Sequence, residues 1–293
     1  ADTFNNYFMP HTAKAAVEVL EDAGFRVRVP RAHLCCGRPL YDFGMLEEAK
    51  EYLRRVMVKL KDEIAAGTPI VCLEPSCASV FRDELQNLFP GVAAAKRLGG
   101  QVVLLADFLE KAGYKPPRLA WVDGKAGAKK GGAVKALVHG HCHHKALWSM
   151  SPEEKLLRAT GLETEVMDSG CCGLAGSFGY EAEHYDISMR IGERVLLPKV
   201  RTAERETVIV ADGFSCRQQI AHGTERRAMH TAEVLQMAIE SQKRPGARSK
   251  GRYVERGHTQ PEGGGLPLAA MAGVGAAAGL LYLWLRRKSH ARG

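Results

Sequence analysis

Apolar and polar positions follow one order twice along this chain. Residues 11–23 carry apolar side chains at helical spacing and stop at Gly24. The run Phe25-Arg26-Val27-Arg28-Val29 then alternates as a strand and leads into Cys35-Cys36-Gly37. The same order returns at residues 152–160, where a helical run stops at Gly161. There Leu162-Glu163-Thr164-Glu165-Val166 leads into Cys171-Cys172-Gly173. A helix closed by glycine and followed by a short strand is a standard helix-to-strand passage.

The parallel continues downstream. Helical stretches are predicted over 45–66 and 184–197, and each precedes an apolar strand that ends in a Ser-Cys loop. The first is Ile70-Val71-Cys72-Leu73-Glu74-Pro75-Ser76-Cys77, and the second is Val208-Ile209-Val210-Ala211-Asp212-Gly213-Phe214-Ser215-Cys216. Helices over 106–112 and 231–239 close the two copies. Cys36 and Cys77 are 41 residues apart and Cys172 and Cys216 are 44 apart, so the copies are nearly in register. The pattern predicts an α/β protein of two pseudo-repeated cysteine-rich domains, each with a mainly parallel sheet and its cysteines on loops at strand ends. The expected division is a first repeat over 1–116, a linker over 117–132 with four glycines, and a second repeat over 133–240.

Beyond residue 240 the pattern lapses. Residues 241–265 are basic and then Gly-rich, without an apolar period, and read as a tether. Residues 266–285 hold no charged residue, are followed by the basic tail 286–293, and place Tyr282 and Trp284 near the basic end. A C-terminal transmembrane helix is the expectation there, with an Ala/Gly-rich segment too weakly apolar to insert as the alternative. A body of reduced thiols then predicts a cytoplasmic domain anchored to the membrane by that helix. The chain opens at Ala1-Asp2-Thr3-Phe4, without Met and in what reads as the end of a strand, so upstream sequence is expected.

Charge changes the picture only by where it lies. The chain has 41 basic and 33 acidic residues; ten of the bases and two of the acids fall in residues 241–293, leaving 31 of each before them. The body is neutral, so no basic groove for nucleic acid is indicated. Eight cysteines in 293 residues are too sparse for a disulfide scaffold, which directs attention to metal or redox chemistry.

Four thiols of the second copy, Cys142, Cys171, Cys172 and Cys216, are predicted to converge. Thiolates are soft donors, and four complete an iron–sulfur or a zinc site. Adjacent cysteines face one centre only if the backbone turns sharply, which Gly173 permits. Four small buried thiols without metal are the alternative. The first copy offers Cys35, Cys36 and Cys77 as a second possible site, with Asp2-Thr3-Phe4 where the Cys142 equivalent would stand. Cys72 lies in an apolar strand and reads as core. Of the histidines around Cys142 (His139, His141, His143, His144), at most one, His143 or His144, is expected in the site. Glu74 and Asp212 read as caps of tight turns. The Gly-rich run 173–179 offers backbone amides to an anion but lacks the ending of a P-loop.

These residues resemble the cysteine-rich CCG-domain family of heterodisulfide reductase and of the iron–sulfur parts of glycolate, lactate and related 2-hydroxyacid dehydrogenases. The similarity includes fused proteins in which an FAD-linked oxidase domain comes first. The strings that carry it are Asp2-Thr3-Phe4-Asn5-Asn6-Tyr7-Phe8, Cys35-Cys36-Gly37-Arg38-Pro39-Leu40-Tyr41, Glu74-Pro75-Ser76-Cys77, His139-Gly140-His141-Cys142-His143, Gly170-Cys171-Cys172-Gly173 and Asp212-Gly213-Phe214-Ser215-Cys216, within residues 1–238. The resemblance implies an oxidoreductase component that passes electrons from a flavin-linked 2-hydroxyacid (glycolate, lactate or 2-hydroxyglutarate-like) dehydrogenase toward quinone or another membrane acceptor. It implies an iron–sulfur cluster, of 4Fe-4S type, on Cys142, Cys171, Cys172 and Cys216, with zinc as the alternative metal. FAD is expected only on a partner or an upstream domain. In the family's fullest form each repeat ends in Cys-x-x-Cys and holds a five-cysteine cluster; here each Ser-Cys loop supplies one. The rival functions are heterodisulfide-type thiol/disulfide catalysis and a zinc-stabilised docking scaffold.

Overall fold

Pro10–Asp22 folds as a helix because Pro10 suits the first turn and Ala15, Ala16, Val19 and Leu20 fall on one face, all buried. It ends in a Schellman closure: Gly24 N–H donates to Glu21 O (2.9 Å) and Phe25 N–H to Leu20 O (3.0 Å). Gly24 takes φ +87°, a value that glycine adopts without strain. The computed structural model describes residues 2–122, 134–243 and 254–255.

Two small parallel sheets carry the rest. In the first half β1 (Ile70–Cys72) pairs with β2 (Val102–Leu104), Ile70 opposite Val102 and Cys72 opposite Leu104. In the second half β3 (Lys135–Val138) lies between β4 (Glu163–Val166) and β5 (Val208–Val210), again all parallel. Alternation along these strands divides two cores. Ala136, Val138, Val208 and Val210 face a cluster with Leu119, Trp121, Leu157 and Met229. Leu137 and Ile209 face the opposite cluster, with Cys172, Leu197, Cys216 and Ile220.

A further core joins the halves. Pro10–Asp22 and Leu105–Lys111 from the first half pack with Leu156 and with Thr231–Lys243 from the second. Inside that contact a buried polar group links Thr12, Arg217 and Glu233, with Arg217 Nη1 donating to Thr12 Oγ1 at 2.9 Å.

The structure corrects the expected fold class. The α/β body and parallel strands are present, but among the described residues no helix is long and apolar enough to cross a membrane. Residues 266–285, on which the expected transmembrane helix falls, lie outside the described residues. The strand expected over 25–29 is irregular. Its counterpart β4 is held by β3, and no strand equivalent to β3 is among the described residues of the first half. Phe25 instead packs its ring on Phe108, at 4.8 Å between centroids. The helix expected over 45–66 is two helices, Leu46–Lys59 and Lys61–Ala66, and that over 184–197 becomes Tyr185–Glu193 followed by Leu196–Thr202.

Candidate metal centre

The four second-half cysteines stand at the carboxyl ends of all three strands of the second sheet, where open α/β sheets present their ligand sites. Cys142 opens the helix Cys142–Leu147 after β3, Cys171 and Cys172 lie on the loop after β4, and Cys216 lies in the first turn of Phe214–Gly223 after β5. The backbone turn at Gly173 takes φ +99° and packs so tightly that a Cβ there would stand 2.1 Å from Ser188 O.

The sulfurs form a continuous chain. Cys171 is hydrogen-bonded to Cys142 and to Cys172, and Cys172 to Cys216. Gly173 N–H also donates to Cys171 Sγ, at 3.3 Å. Those bonds pull the Cys171 thiol down to about 2, the contact with Cys142 contributing most. Cys216 also lies well below the ordinary thiol range, chiefly through its bond from Cys172, which outweighs burial. Cys142 and Cys172 move the other way: each is pushed up first by its bond to Cys171, with burial adding to the effect. Thiolates and thiols thus alternate along the chain.

The first half repeats the arrangement with one substitution. Cys36 Sγ is 3.1 Å from Cys77 Sγ, and Cys35 is hydrogen-bonded to Cys36. Cys35 also meets the hydroxyl of Thr3, as Cys171 meets Cys142. Thr3 is held there by the turn Phe4–Phe8, whose Phe4 ring stacks on Phe214 at 4.3 Å. Here the thiols stay protonated. Cys35 is pushed up by its bond to Cys36 and by burial. Cys36 gains from its bond to Cys35 but is raised overall by Cys77 and burial. The bond from Cys36 lowers Cys77, yet burial with Cys72, Asp2 and Glu74 nearby pushes it up to about 12. Cys72 is apart from the chain, its sulfur donating to Glu74 O at 3.5 Å, as a core residue would.

Glu74 ties the two centres together. Its Oε1 accepts from Ser76 N–H and caps Pro75–Ser79, while Oε2 accepts from Phe214 N–H at 2.7 Å and caps the helix that carries Cys216. Asp212 likewise caps Thr231–Lys243 through Thr231 N–H, at 2.8 Å. Both acids are caps, in keeping with the turns that carry them.

The histidines sort differently from expectation. His143 does flank Cys142, and burial first, then the Arg38 charge, lowers it to about 4. His144 turns away and is buried 3.4 Å from Glu153 Oε1. His141 is outside the expected pair, yet it lies beside the sulfurs, its Nδ1 4.0 Å from Cys142 Sγ. Nitrogens of His141 and His143 and the Cys142 sulfur all fall within 4.8 Å of one another. His139 bonds Ser169 through Nδ1 at 2.7 Å and lies against Cys216, another contact that sequence reasoning missed. Their spacing held a usable signal: His139 and His141 are two apart at a strand end, so they point to one side.

Four clustered sulfurs, two of them thiolate in character, with imidazole nitrogens beside them, fit a soft-metal centre. An α/β body with such donors at its strand ends has the donor set of a metal-binding protein. The cysteine-rich CCG domain family matches residues 3–82 and 137–221, and the chain belongs to that family. One of the subunits of the anaerobic glycerol-3-phosphate dehydrogenase of Escherichia coli is 29% identical over 243 residues, covering 80% of this chain and 57% of that polypeptide. Lactate utilization protein A of Bacillus velezensis is 32% identical over 244 residues, 78% of this chain and 93% of that protein. D-2-hydroxyglutarate dehydrogenase of Pseudomonas putida is 27% identical over 236 residues, 80% of this chain and 21% of that enzyme. The chain thus spans little more than half of the glycerol-3-phosphate dehydrogenase polypeptide. These relatives class it as an oxidoreductase component, and with the donor set they point to iron–sulfur binding.

Proposed function

We propose that the chain is the iron–sulfur electron-transfer part of a flavin-linked 2-hydroxyacid dehydrogenase, with glycolate, lactate or 2-hydroxyglutarate as the substrate class. The observation that carries this reading is the gathering of Cys142, Cys171, Cys172 and Cys216 at the ends of three parallel strands. In this reading those four residues hold a 4Fe-4S cluster, which when bound supplies a one-electron carrier. The chain's own contribution is positional. Gly173 lets the backbone approach the centre, Gly173 N–H bonds a sulfur, and Glu74 and His139 brace the helix and thiol of Cys216. Flavin chemistry belongs to a partner protein or domain, and electrons leave toward quinone or another membrane acceptor. The two matched stretches are taken as two cysteine-rich repeats, 1–116 and 133–240. Cys35, Cys36 and Cys77, with a hydroxyl in place of a fourth sulfur, are the weaker metal set.

Zinc is the second reading, favoured by the His141–Cys142–His143 group, whose mixed nitrogen and sulfur donors suit that ion. Iron and acid-labile sulfide measured after anaerobic purification separate the two. Iron with matching sulfide, mostly lost in Cys172→Ser, is the expected result. Zinc without iron would sink the electron-transfer reading.

A further inference from the structure

The second centre has a donor that its four sulfurs do not account for. A Cβ built on Gly213 would stand 2.3 Å from Cδ2 of His141 and 3.3 Å from Cys216 Sγ. The space that a side chain at position 213 would fill, opening directly onto the Cys216 sulfur, is taken by an imidazole supplied from another strand end. On its other side that ring faces Cys142, with Nδ1 at 4.0 Å from Sγ. It also acts electrostatically on Cys171 and Cys216, although their bonds to Cys142 and Cys172 are the larger influences on those thiols. His141 therefore lies beside Cys142 and packs on Gly213, next to Cys216.

We propose that His141 is a nitrogen ligand of the second centre, a fifth donor added to the four thiolates, giving mixed thiolate and imidazole ligation there. This inference rests on the metal-centre reading above and deepens it. Nδ1 is the ligating atom: it is the nitrogen placed by Cys142, and its present bond, from His143 N–H at 3.2 Å, is a helix cap that a metal would replace. Nε2 then carries the ring proton. The buried Glu74 carboxylate interacts with that imidazole: burial raises Glu74, and His141 is the first influence that opposes it. Gly213 is the enabling residue, since any side chain would displace the ring. At the first centre Glu74 occupies the position equivalent to Gly213, three residues before Cys77, and its carboxylate is engaged with Ser76 and Phe214.

The experiment is pulsed EPR on the anaerobically purified full chain, reduced by one electron. Iron-loaded protein is expected to show strong coupling to one imidazole nitrogen. His141→Asn keeps an acceptor for the His143 amide and removes the imidazole, so the coupling should vanish while the thermal midpoint of the metal-free protein stays unchanged. His143→Asn should leave the coupling intact. His141→Cys should retain iron and lower the midpoint potential, since an anionic thiolate replaces a neutral nitrogen. Coupling that survives His141→Asn, or is absent from iron-loaded wild type, overturns the proposal alone. A chain that takes up no iron overturns the iron–sulfur reading and this ligand with it.

Discussion

The two sulfur clusters are built from the same parts and end in different protonation states. Each has a Cys-Cys pair turned by a glycine and a third cysteine in the first turn of a helix that follows a strand. In the second half Cys142 supplies a fourth sulfur, and Cys171 and Cys216 are lowered well below the ordinary thiol range by their sulfur neighbours. In the first half Thr3 stands in that place, Asp2 and Glu74 add negative charge, and every thiol is raised. One sulfur exchanged for a hydroxyl, with Asp2 and Glu74 adding negative charge, separates a ready donor set from a packed one.

The sharpest way to break the comparison is through its glycines. Gly173→Ala puts a methyl group 2.1 Å from Ser188 O at φ +99°. It is expected to cost more than about 4 kcal/mol, among the largest single-residue effects. Gly37→Ala at φ +75° meets Tyr52 Cβ at 3.4 Å, an ordinary contact distance, so it should cost about 1–2 kcal/mol of backbone strain. Denaturant midpoints check both, and equal losses would contradict the asymmetry. Exchange of the fourth donor comes next: Cys142→Thr should strip metal from the second set, and Thr3→Cys should add binding capacity at the first. Metal content per chain is the measurement.

Thiol reactivity in the metal-free protein should differ less dramatically but in a fixed order. Cys171 and Cys35 are similarly exposed, yet iodoacetamide at pH 7 should modify Cys171 at least about tenfold faster, because only its thiolate is populated. Mass mapping of early products gives the ratio, and faster labelling of Cys35 would reverse the assignment.

The smallest effect concerns Glu153, buried beside His144. Burial first, with Asp212, Asp107 and Glu110 adding negative charge, raises its carboxyl well above the ordinary value. The neighbouring His144 is lowered by burial, so the pair is neutral rather than ionic. A raised folded-state value means that Glu153 contributes its full stability below the unfolded value of about 4.3 and loses it as pH rises. Glu153→Gln should therefore gain stability relative to wild type as pH rises from about 5 to about 8. A pH-independent difference in denaturation midpoint would refute the neutral pair.

Much of this was legible from residue order. Helical spacing with Gly24 and Gly161 marked the helix ends, the apolar run 208–210 marked a buried strand, and the doubled Cys-Cys-Gly marked the chemistry. Residues 25–29 misled because alternation describes a strand's faces and says nothing of whether a neighbour will bond its backbone. The break near Leu60 was hidden because both sides share one apolar face.

Residue order alone settled which chemistry was available: soft donors in two matched sets, glycines where the chain turns back, and acids placed to cap. Folding settled which donors meet. Thr3 reaching Cys35, Glu74 capping a helix from the other half, and His141 filling the space above Gly213 all join residues distant in sequence. Such contacts depend on how strands stack and helices cross, and a periodic pattern reports only the face on which a side chain emerges, not what it finds there.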